Sequence, residues 1–166
     1  MSRFAANQLS IAGNTDIQGE LLVESDLSVT GSGTFGGTLS AASLNIETLQ
    51  LNNDLQLNRH IDAGGATPSQ TNGSALGGGG TASISGTDTA GTVNINTGNS
   101  PPAGCFITVN FSVPFNGTPH VVITPVGSSA ASLNYYITKS GSSFRICTTN
   151  PPPAGANFAF DYVAID

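Results

Sequence analysis

Between Gln8 and Ser43 the chain can be written in sixes: QLSIAG, NTDIQG, ELLVES, DLSVTG, SGTFGG, TLSAAS. Ile11, Ile17, Val23, Val29 and Phe35 share one position of the six. Two residues later stand Gly13, Gly19, Ser25, Gly31 and Gly37; two earlier stand Leu9, Thr15, Leu21, Leu27 and Gly33. A fixed internal period restricts the fold more than any other feature of this chain. Apolar and polar residues also alternate, which is the strand period, and the types are branched or small. The glycine marks a bend or a close approach of backbones. Six such units with thin apolar faces cannot enclose a core alone, because a repeat buries its face only against neighbours. The expected remedy is symmetry: a homotrimeric β-prism or intertwined β-helix, in which other copies supply the missing walls. A single-chain left-handed β-helix is the rival. In that fold a small residue directly follows the aliphatic one, whereas here glycine comes two later.

The repeat changes phase after Ser43. Leu44 and Ile46 occupy even positions, then Leu49, Leu51, Leu55, Leu57 and Ile61 occupy odd ones. Leu44, Leu51 and Leu55 also fit a helical spacing, so a short three-stranded coil over 44–61 is the alternative there. Asn52, Asn53 and Asn58 weaken it. Residues 62–80, DAGGATPSQTNGSALGGGG, read as a linker or irregular neck, since glycine and small polar residues bury little surface. From 81 onwards, strands are expected near 81–86, 91–97, 104–113, 119–126, 133–139, 143–149 and 157–165, separated by turn signals such as FNGT and KSGSS. Such spacing predicts an antiparallel β-sandwich. In the last strand Phe158, Phe160 and Tyr162 fall on one face, Val163 and Ile165 on the other. One face is expected to cover the core and the other to meet a neighbouring subunit. The fold class is therefore all-β: an arm at 1–7, a homotrimeric stalk at 8–61, a neck at 62–80 and a sandwich head at 81–166.

Only 8% of the residues are charged and the formal net charge is −6. The basic residues, Arg3, Arg59, Lys139 and Arg145, form no run, so nucleic acid is not an expected partner. No stretch has the length of a membrane span, and MSRFAANQLSIAG has no apolar core of a secretory signal. Cys105 and Cys147 are expected as free thiols. Strand alternation places Cys105 with Ile107, Val109 and Phe111 on a core face, but Cys147 with Arg145 on the opposite kind of face, and misaligned Cβ vectors do not bridge.

The sixes, RHID, the glycine linker, GTASISGTDTAGTVNINTG, CFITVNFSVPFNGTPHVVITP and FAFDYVAID together resemble bacteriophage and phage-like fibre proteins. The resemblance covers most of residues 8–166, and SGTDTAGTVNINTG, TPHVVITP and the final apolar strand are its most specific parts. It implies a homotrimeric virion structural protein with a β-structured stalk and a β-sandwich head. Such heads bind a host-surface glycan or protein, or decorate a capsid. Other virion proteins would be met through the N-terminal arm. With only seven residues before the first six, a short fibre or capsid-bound trimer is the alternative to a tail fibre.

No catalytic set emerges, and neither enzymatic activity nor a cofactor is expected. Gly31, Gly33 and Gly36 satisfy G-x-G-x-x-G, but no helix follows and the repeat already accounts for two of the three. Asp88, Asp161 and Asp166 do not make a convincing carboxylate pair; Asp88 lies in a turn that aspartate suits. No serine sits in a nucleophile elbow. A metal needs three or four ligands. One chain offers His60 and His120, so the weak possibility is His60 repeated around a trimer axis. For receptor binding, Tyr135, Tyr136, Lys139 and Arg145 fall in one hairpin. Adjacent tyrosines on a strand face opposite ways, so one belongs to the core and the other is left either for the apolar face of a sugar or for a trimer interface.

Overall fold

The six-residue rhythm of the sequence is also a rhythm of the backbone. The structure, a computed structural model, describes residues 12–166; the arm at 1–7 and the first repeat positions, Leu9 and Ile11, lie outside them. The chain forms two compact units, Met1–Asp54 and Leu55–Asp166. In the first, bends recur at 12–13, 18–19, 24–25, 30–31 and 36–37. Gly13, Gly19, Ser25, Gly31 and Gly37 each take the second place of a bend. The following bends fall at 42, 47, 52–53 and 58–59, so two successive steps shorten to five where the apolar register changes phase. No helix forms over 44–61, and the coiled alternative is not adopted. From 12 to 62 every residue is exposed and none belongs to a paired strand. Ile17, Leu21, Val29 and Phe35 are each at least half exposed. The glycines of the sixes do not use left-handed dihedrals, and no atom of a distant part of the same chain crowds them. Glycine at these bends is therefore not required by anything within one chain.

The second unit contains eight strands: β1 (Ser69–Asn72), β2 (Thr81–Gly86), β3 (Ala90–Asn96), β4 (Gly104–Asn110), β5 (His120–Val126), β6 (Tyr135–Lys139), β7 (Ser143–Thr148) and β8 (Asn157–Ile165). They form two four-stranded antiparallel sheets, in the orders β1-β4-β7-β6 and β2-β3-β8-β5. Helix is confined to a 3-10 turn at Ser74–Leu76 and a short α1 at Gly127–Ala131. Alternation along each strand sends one set of side chains inward. Phe106, Ile107, Val109, Phe144 and Ile146 from the first sheet share a core with Val93, Ile95, Phe158, Phe160 and Tyr162 from the second. Three ring pairs join residues of the two sheets: Phe106 with Phe158 at 6.0 Å, Tyr135 with Phe160 at 5.0 Å and Phe144 with Tyr162 at 5.1 Å. These are separations at which aromatic rings attract beyond their area burial. Phe158, Phe160 and Tyr162 face inward as expected, and Val163 and Ile165 face outward.

The structure corrects the reading of the cysteines. Cys105 and Cys147 form a disulfide across β4 and β7. The register explains why. Cys105 pairs with Cys147, but the next pair is Ile107 with Ile146, so β4 carries a bulge at Phe106. An extra residue in one strand reverses the alternation on one side of it. Phe106 and Ile107 consequently both point into the core, both fully buried, while Cys105 turns to the face that Cys147 occupies. A second difference lies in 62–80. The stretch expected as neck contains β1, which pairs along β4, and Ala75 and Leu76, which are buried in the core. SQTN has no apolar alternation because β1 is an edge strand whose burial is slight. Gly73 and Gly80 are where backbone meets backbone: a side chain at either would run into the carbonyl of Cys105 or of Leu76.

Candidate functional site

The first sheet presents β6, β7 and β4 side by side, and their register decides which hairpin residues meet. Tyr136 lies directly opposite Cys147, and Thr138 opposite Arg145, which in turn faces Thr108 on β4. Tyr136 and Thr138 are two apart on β6, as Arg145 and Cys147 are on β7, so all share the outward face. Tyr136 is 44% exposed there. Tyr135 takes the opposite face and packs its ring edge-on against Phe160. The structure thus separates the two tyrosines and leaves Tyr136 as the one available to a ligand.

Lys139 ends β6 and reaches sideways, its Nζ donating to the carbonyl oxygen of Pro119 at 2.7 Å. It lines a polar depression of about 160 Å3 with Thr138, Ser140, Ser143 and Arg145. The β6–β7 turn is closed by the Ser140 N–H donating to the Ser143 carbonyl at 2.8 Å. Lys139 and Arg145, two of the four basic residues of the chain, are therefore brought to one spot. The hydroxyls of Thr138, Ser140 and Ser143 complete it. Sequence reasoning did not single out these three, because nothing distinguishes them from the many other hydroxyls until the strand register is known.

Among the larger clefts of the second unit, two are of about 510 Å3 each. One is lined by Asp88, Ser112, Val113, Phe115 and Asp166 among others. Asp88 is committed to structure there: its two oxygens accept the backbone N–H groups of Ser112 at 2.7 Å and Val113 at 2.8 Å. Its charge also bears on Tyr162, whose hydroxyl donates to the Thr87 carbonyl. Burial first, and then nearby Asp88, push the Tyr162 hydroxyl from its ordinary pKa of 10.0 up to about 12. Asp161 stands elsewhere, on β8, accepting the Thr92 hydroxyl at 2.6 Å. The other cleft is mainly apolar, with Ile61, Ala63, Ala90, Val163 and Ile165 in its lining.

His60 and His120 are both exposed. No group of three or more His, Cys, Asp or Glu side chains able to hold a metal occurs within one chain among the described residues. Gly31, Gly33 and Gly36 lie in the bend repeat with neither strand nor helix beside them. No helix among the described residues is long and apolar enough to cross a membrane. Comparison with protein-family models, with curated proteins and with solved structures returns no match.

Proposed function

We propose that this chain is the subunit of a homotrimeric fibre on a phage or phage-like particle, its repeat serving as stalk and its second unit as a β-sandwich head that binds a host-surface receptor. One observation carries the architectural part. Residues 12–62 bend every five or six residues while every side chain is exposed and no strand pairs within the chain. Exposed apolar surface of this extent marks an interaction face, and unpaired extended backbone is open to pairing with another chain. Three copies winding together would cover both. The bend glycines, unneeded by a single chain, would then make room for a neighbour's backbone.

The head offers a second place for copies to meet. Val122 pairs with Val163 and His120 with Ile165 on the outward face of β5 and β8. Val122, Val163 and Ile165 are 64%, 47% and 56% exposed. Host attachment rests on the outward face around Tyr136 and Arg145, with three weak sites acting together through avidity. Light scattering of the purified chain tests the assembly: a mass of three chains is expected, and a monomer at working concentration overturns the stalk. Electron microscopy of particles with tagged heads tests the role. Tagged density on the tail together with binding of the trimer to host cells supports attachment, whereas density over the capsid without cell binding replaces it with capsid decoration.

A further inference from the structure

We infer that the depression between Lys139 and Arg145 is a binding site for the acidic group of an anionic saccharide, with Tyr136 as the platform for the sugar ring. This rests on the proposed receptor-binding role of the head and names the chemistry of its ligand.

The first support is the segregation of charge. In Leu55–Asp166 the basic residues are Arg59, Lys139 and Arg145, and the carboxylates are Asp62, Asp88, Asp161 and Asp166. None of these carboxylates lies on a strand of the β1-β4-β7-β6 sheet, which carries both Lys139 and Arg145. No acid lines their depression. A chain of net charge −6 repels polyanions in general, so an anion that binds must be held by a local site.

The second support is the donor set. Arg145 presents a planar fork suited to a carboxylate or other oxyanion. Lys139 is fixed by its bond to the Pro119 carbonyl, and an ammonium has three donors, so two remain for a ligand. Thr138, Ser140 and Ser143 add hydroxyls. The volume of about 160 Å3 holds about five waters, which fits one acidic substituent rather than an oligosaccharide. The rest of the saccharide would extend along the outward face. Tyr136 stands there, diagonal to Arg145 across the β6–β7 pair.

The third support is rigidity. Arg145 and Cys147 are successive outward residues of β7, and Cys147 is bonded to Cys105 on β4. The strand that carries the guanidinium is thus covalently held to one neighbour and hydrogen-bonded to the other. A site on such strands loses little freedom when it binds.

The test is direct binding of the full-length protein to immobilised polygalacturonate, with dextran as the neutral control and dextran sulfate as the sulfated one. The expected result is salt-sensitive binding to one or both acidic polymers and none to dextran. Arg145→Ala should weaken it at least tenfold at an unchanged melting temperature, and Arg145→Lys should restore part of it. Tyr136→Ala should weaken it severalfold while leaving the salt dependence as it was. Equal binding to dextran, no binding to either acidic polymer, or indifference to Arg145→Ala together with Lys139→Gln would overturn the inference. Binding of Arg145→Ala trimers to host cells at wild-type strength would sink this site while leaving the attachment role standing. Acidic-polymer binding without any cell binding would do the opposite.

Discussion

The two units of this chain use β-forming sequence in opposite ways. In Leu55–Asp166 alternation has somewhere to put its apolar residues: Phe106, Phe144, Phe160 and Tyr162 are at most 2% exposed. No buried side-chain polar atom is left without a partner among the described residues. In the repeat the same alternation leaves Leu21 60% and Leu27 69% exposed. A pattern specifies which face is to be covered; it does not say by what. Where the cover is in the same chain, a core results. Where it is not, the apolar face stays open, which is the ground on which we propose other copies as its cover; the regular bends give the backbone a recurring shape.

That contrast can be broken experimentally. The largest effect is expected from Val23→Asp with Val29→Asp, which places charge on the apolar row of the repeat. Light scattering should show loss of the assembled mass, while the melting of the second unit stays in place. Unchanged assembly would mean that the row is not covered by another copy. Next is Phe160→Ala in the second unit, where a ring buried against Tyr135 is removed. A loss of about 3–5 kcal/mol is expected in denaturant unfolding, with assembly through the repeat retained if the two units are independent. Third, Cys105→Ser with Cys147→Ser opens a link spanning 42 positions. Such a link is worth roughly 2–4 kcal/mol, so the midpoint of unfolding of the second unit should fall and the repeat should be indifferent. A matching fall in wild type under reductant would tie the effect to the bond itself.

The smallest effect is a pH dependence confined to the second unit. Tyr162 holds its proton more firmly folded, at about 12, than unfolded, at 10.0. A raised pKa means that its contribution is complete below pH 10 and is lost as pH rises through 12. Melting temperatures of the second unit should therefore decline over that window, and Tyr162→Phe should flatten the decline. Parallel curves for the two proteins would show that this hydroxyl does not set the alkaline limit.

Most of the second unit was legible in the sequence because its strands alternate cleanly between turn residues, and all seven expected strands are present with ends shifted by a few residues. β1 was not legible. An edge strand pairing mainly through its backbone, such as SQTN, need not alternate. The disulfide was hidden by one residue, Phe106, whose insertion into β4 reverses the side on which Cys105 lies; alternation cannot announce a bulge. At the candidate site the separation of Tyr135 from Tyr136 follows from alternation alone. The company of Lys139 and Arg145 with Thr138, Ser140 and Ser143 depends on register and on the turn, which local sequence encodes only weakly. The repeat was legible as a period and as a phase change near Leu44, since both are properties of the one-dimensional pattern.

The position of β8 has a consequence for how the molecule is made. It is the latest of the eight strands to be translated, yet it lies inside its sheet, between β3 and β5. Until Asn157–Ile165 leaves the ribosome, β5 has no strand partner and β3 has only β2. Phe158, Phe160 and Tyr162 arrive with it, so half of the core's aromatic packing arrives at the same moment. The order of synthesis therefore makes completion of the head a single late event, and a chain stopped short of residue 157 would present two open strand edges to its neighbours.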